Sequence, residues 1–206
     1  MRIRGRSWGR AAAVFVGATL VVLVAVVPSA SGGARHARWD IISFSGTPPG
    51  PLNPGGFAEA KTPEGAKIKL TGSGTFVAPP GGNGGSGAVT GGGTWQTFDA
   101  GGVSTASGTY TVTRLVTFEF ANFASATPVF IDNIGALDER ANGTAVLTIQ
   151  YSDGSRGVLT VGCHGPGAPP GIFEGIAVTK GFTTYYDVQA PVGGVDANRT
   201  LFHVSS

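Results

Sequence analysis

Cysteine is almost missing from this chain: Cys163 stands alone among 206 residues. No intramolecular disulfide can form, which excludes the stapled scaffolds that small exported domains use in place of a core. Charge is scarce too, at 13% Asp, Glu, Lys and Arg, about half the usual share. Beyond Arg10 there is no run of Lys or Arg, and phosphate contacts need clustered cations, so nucleic acid is excluded as a partner. Histidine occurs three times, at His36, His164 and His203, in no His-x-His or His-Glu-x-x-His relation. A zinc site therefore has no sequence support, and no metal or cofactor is expected. Helical periodicity is nearly absent as well, which excludes bundles and doubly wound folds.

What the chain does have begins at its start. Arg2, Arg4, Arg6 and Arg10 precede an apolar run from Ala11 to Val27, followed by Pro28-Ser29-Ala30-Ser31-Gly32-Gly33. A cationic segment, an apolar segment and a small-residue exit make a secretory signal, with cleavage fitting best after Ser31 or Gly32. An uncleaved anchor is the alternative. A spanning helix needs about 20 apolar residues, and this run is shorter, interrupted by Gly17 and Thr19 and ended by Pro28. The expected organisation is a signal helix over 1–32 and one domain over 33–206, secreted or extracytoplasmic, meeting a membrane only if the leader is kept. The precursor has 14 basic and 12 acidic side chains. Four arginines leave with the leader, so the remainder carries a net charge of about −2. Roughly 175 residues suffice to bury one core.

Period-two alternation recurs along that domain. Strands are expected over Trp39–Ser45, Ala66–Phe76, Ala88–Phe98, Thr109–Phe120, Thr144–Tyr151, Arg156–Cys163, Ile172–Thr179, Phe182–Val188 and Thr200–Val204. About nine strands joined by Gly, Pro, Asn and Asp turns predict an all-β domain, a single antiparallel barrel or sandwich. The turn Ser152-Asp153-Gly154 admits a three-residue loop with left-handed Gly154, which sets Leu147 opposite Leu159 and Ala145 opposite Val161. A one-residue slip would reverse the faces, so this register is favoured.

Glycine is abundant, with 35 residues. Pro79–Gly93 reads as a flexible connector: Gly82-x-Gly84-x-x-Gly87 has the spacing of a dinucleotide loop but no helix follows to hold a pyrophosphate. Gly74-Thr75-Phe76, Gly93-Thr94-Trp95 and Gly108-Thr109-Tyr110 form a weak repeat that suggests tightly coiled sheet. Gly93-Thr94-Trp95 also resembles the Gly-x-Trp of calycin barrels (lipocalins and avidins). In those it lies in the first strand, whereas here it is mid-chain; the resemblance implies a barrel and carries no ligand with it.

Few residues invite chemistry. Cys163 and His164 are adjacent, so in a strand they face opposite ways, and Cys163 reads as a core residue. Asp132, Asp138 and Glu139 read as a solvated turn. Asn142-Gly143-Thr144 and Asn198-Arg199-Thr200 are glycosylation sequons. The sharper anomaly is Arg114 between Val112 and Val116, and Glu174 between Ile172 and Ile176, each on an apolar face. Buried charges need partners, so Arg114 and Glu174 are expected to form an interior polar pair. Three roles fit: a non-catalytic module binding a small ligand, glycan or protein partner; a barrel isomerase or hydrolase with an Arg/Glu interior site; or a structural cell-surface protein. A cavity enclosing Arg114 and Glu174 would favour the enzyme, an exposed Trp95/Phe98/Tyr110 patch the binding module, and a retained leader the structural protein.

Overall fold

The computed structural model describes residues 33–44, 49–80, 84–127, 129–188 and 198–205; the expected signal helix lies outside the described residues. Residues 31–206 form one unit, and no described helix is long and apolar enough to cross a membrane. The strands are β1 (Arg35–Ser43), β2 (Pro51–Pro54), β3 (Ala58–Lys61), β4 (Lys67–Leu70), β5 (Ser73–Ala78), β6 (Gly92–Phe98), β7 (Ser104–Phe123), β8 (Ile131–Asp132), β9 (Arg140–Tyr151), β10 (Arg156–Cys163), β11 (Gly175–Lys180), β12 (Thr183–Tyr185), β13 (Asp187–Val188) and β14 (Thr200–Ser205).

Antiparallel pairing closes a six-stranded barrel in the order β1–β5–β6–β7–β9–β14 and back to β1. The sheet is thus a barrel and not a sandwich. Outer strands leave it at two forks. Along one edge of β9, β14 pairs at Arg140 and Ala141, and β10 takes over from Gly143. Along one edge of β6, β5 pairs at Gly92, and β4 takes over from Trp95. The two wings, β10–β11–β12 and β4–β3–β13, are linked because β13 follows one residue after β12 and pairs with β3.

The β6 fork is closed by close backbone approach. A Cβ on Gly93 would lie 2.0 Å from the Thr71 carbonyl oxygen. Gly72, at φ +148°, would place its Cβ 2.4 Å from the Tyr110 hydroxyl, which itself donates to the Thr71 carbonyl. The expected single strand over Ala66–Phe76 therefore breaks into β4 and β5. The described part of the expected connector before β6, from residue 84 on, pairs with its neighbours despite its glycine content. Ser86 exchanges two backbone bonds with Leu115, and Val77 N–H and Thr90 N–H bond to Ala88 O and Thr75 O.

Alternation places one face of each strand inside. Phe76, Phe118 and Phe202 meet edge-to-face at centroid distances of 4.9–6.4 Å, in the range such ring pairs favour, and Trp95 packs against Tyr151 at 5.7 Å. The β9–β10 hairpin sets Leu147 opposite Leu159 and Ala145 opposite Val161, with Gly154 at φ +87°. Strand β7 departs from plain alternation. Its register against β9 slips between Val112 and Arg114 and again between Leu115 and Thr117. The first slip turns Leu115 inward, fully buried, and Arg114 outward, and the second brings Phe118 back inside.

Candidate functional site

The β9 fork is closed by a carboxylate. Where β10 and β14 part, their backbone N–H groups lose ladder partners, and a buried N–H must be satisfied some other way. His164 N–H, just past β10, donates to Glu174 Oε2 at 2.6 Å, and Thr200 N–H, at the start of β14, donates to Oε1 at 2.8 Å. The Thr200 hydroxyl donates to the Gly162 carbonyl. Glu174 precedes β11, whose first residue is Gly175 and not the expected Ile172. The residue as a whole is half-buried, but its carboxyl end is enclosed. Burial raises its pKa to about 7, against the pull of the two N–H bonds, Arg199 and His164.

The interior pair expected from the sequence is not formed. Arg114 is exposed opposite Thr148, while the Glu174 carboxylate is held by the His164 and Thr200 amides, with the Arg199 guanidinium and the His164 ring near it. The reason is the register slip in β7: strict alternation would put Arg114 inside, and the slip substitutes Leu115. Nor does an exposed Trp95/Phe98/Tyr110 patch exist, because Trp95 and Tyr110 are core residues.

Beside Glu174 the fork opens into a cleft of about 110 Å³. Ile42, Leu52, Phe130 and Leu201 supply apolar wall, and Arg140, Asn142, Cys163 and Arg199 line it too. Asn142 is fully buried; its amide donates to Asn122 Oδ1 at 2.9 Å and its carbonyl accepts from Gly165 N–H at 2.7 Å. Cys163 is buried, and burial, with the Glu174 charge adding to it, pushes its thiol far up. Both sequons are closed to a glycosylating enzyme in the fold, with Asn142 and Asn198 buried.

Arg140 was not singled out from the sequence, since it adjoins Asp138 and Glu139 and looks like part of a polar turn. It is 3% exposed. It lines this cleft and also a neighbouring groove of about 480 Å³, which runs past Val129, Phe130, Leu137 and Asp138. Among the described residues its guanidinium makes one hydrogen bond, Nε to Leu137 O at 3.2 Å, and no ion pair. The Phe130 ring lies 5.6 Å away.

The remaining candidates have structural explanations. The expected solvated turn holds for exposed Asp138 but not for Asp132. Its side chain is fully buried, receives Ile134 and Gly135 N–H at 2.9 and 3.1 Å, and meets His203 Nε2 at 3.0 Å. Asp132 thereby ties its loop to β14. Asp40, also buried, accepts two bonds from Arg38 at 2.7 and 2.8 Å.

Comparison with known proteins finds no family model, no curated protein and no solved structure that matches this chain.

Proposed function

We propose that the protein is an exported, non-catalytic binding barrel that takes a small ligand at the β9 fork. One observation supports the reading above the rest: an apolar-walled cleft and an adjoining groove share a buried arginine that no acidic side chain among the described residues neutralises. Concave, mostly apolar sites with a few convergent polar groups are the usual form of small-molecule sites. The test is a thermal-shift panel of octanoate, octanol, octylammonium and glucose against the purified protein and Ala124→Trp, a substitution at a position that lines both cleft and groove. The expected result is stabilisation of the parent by at least one compound and of Ala124→Trp by none. Stabilisation by none, or equal stabilisation of both, overturns the reading. Export is tested by the N-terminus of the recovered protein, expected at Gly32 or Gly33; retention of Met1 in the membrane fraction overturns it.

A barrel enzyme is the second reading, favoured by the Glu174 pKa of about 7, where general acid–base catalysis works best at neutral pH. Both carboxylate oxygens are already engaged by backbone amides, which makes the strand-bridging role the simpler account of that residue.

A further inference from the structure

Arg140 lies at the boundary of two cavities that differ in character. The cleft is small, and it holds Glu174 and Arg199. The groove is several times larger, and its wall is mostly apolar. Ala124, Phe130 and Arg140 line both. In the groove wall two large apolar side chains stand open to solvent: Val129 is 60% exposed and Leu137 49%. Apolar residues gathered in this way on one loop mark binding surface more often than residues scattered singly.

The guanidinium supplies the polar half of the argument. A buried charge without a counter-ion is expensive, and natural proteins pair such charges or hydrogen-bond them fully. Arg140 donates from Nε to Leu137 O, which leaves its two terminal nitrogens without protein acceptors among the described residues. Those nitrogens are not sealed in the core, since Arg140 lines both cavities. Asp138, the acid in the groove wall, is exposed and makes no ion pair with it. A planar fork of unpaired donors matches a carboxylate with two parallel hydrogen bonds.

We propose that the ligand is an amphipathic monocarboxylate, its carboxylate paired with Arg140 and its apolar tail lying in the groove along Val129, Phe130 and Leu137. The inference rests on the binding reading given above and narrows it to one ligand chemistry. An uncharged tail would leave Arg140 unpaired, and a cation would add a like charge beside it.

The experiment is isothermal titration of the purified protein with octanoate, octanol and octylammonium, repeated on Arg140→Gln and on Leu137→Asp. The second substitution is at a half-exposed position, so the fold is kept if Arg140→Gln proves unstable, and it sets a like charge against the bound anion. Expected are saturable binding of one octanoate, octanol at least roughly tenfold weaker, no octylammonium binding, and a loss of at least roughly tenfold in octanoate affinity for Leu137→Asp at unchanged melting temperature. A folded Arg140→Gln is expected to bind octanoate no better than octanol. Equal binding of octanoate and octanol, or octanoate binding indifferent to both substitutions, overturns the assignment to Arg140. If octanol or octylammonium binds and octanoate does not, the monocarboxylate is wrong while the binding reading stands. If none of the three binds and the thermal-shift panel is also blank, both fall.

Discussion

Replacing Glu174 by Gln should change how the stability of this barrel depends on pH. In an unfolded chain the carboxyl titrates near 4.5, and in the fold it titrates near 7. Between those values the folded protein holds more protons than the unfolded one, so this group makes folding less favourable as pH rises from below 4.5 to above 7. At about 1.4 kcal/mol per tenfold change, the full effect is roughly 3 kcal/mol, of which about 2.5 kcal/mol develops between pH 5 and pH 8. The glutamine side chain does not titrate, and its amide group also faces one of the two backbone N–H donors, a cost of about 1–3 kcal/mol that is the same at every pH. Urea unfolding of parent and Glu174→Gln at pH 5, 6, 7 and 8 isolates the effect, because contributions from other groups cancel in the difference. That difference should move by about 2.5 kcal/mol in favour of the glutamine variant from pH 5 to pH 8. A difference that stays level across the series would refute the claim that the carboxyl is buried and bridges the fork.

Three further outcomes are expected. Gly93→Ala forces a Cβ toward the Thr71 carbonyl and should cost about 3 kcal/mol in urea unfolding, at the upper end for overpacking. Asp132→Ala strands the Ile134 and Gly135 amides and His203. It should cost about 3 kcal/mol, and amide exchange should show protection lost first at those two amides. Cys163, buried with its thiol pushed up, should resist a disulfide reagent in the native protein and react fully in urea, since the thiolate is the reactive form.

The parts of the fold that alternation encodes were legible in the sequence. Strands β9 and β10, with the turn that fixes their register, follow from apolar spacing and one glycine. Strand β7 was legible only in outline, because its register against β9 slips three times and alternation cannot reveal a slip. Arg114 was misplaced for that reason, although the neighbouring Leu115 offered the better inward residue. Glu174 was recognisable as an anomaly, but its partners are backbone amides of two strands that diverge, and backbone groups carry no residue-type signal. Arg140 was hidden by its acidic neighbours. Its burial depends on Phe130 and Leu137 from the preceding loop, a tertiary arrangement that local pattern does not encode. Strands β2, β3 and β8 are too short for any periodicity to register.

Among the described residues, the two wings are zipped together by very little. From Thr183 to Val188 the chain pairs first with β11 and then with β3, through three residue pairs on one side and two on the other, whereas β9 and β10 are joined by eight. Opening at so short a seam breaks few hydrogen bonds, and the six-stranded ring, closed by other strands, need not respond. The two wings can therefore part while the ring that holds Phe76, Phe118 and Phe202 stays closed. Its amide exchange should divide accordingly, fastest across this seam and slowest in β9.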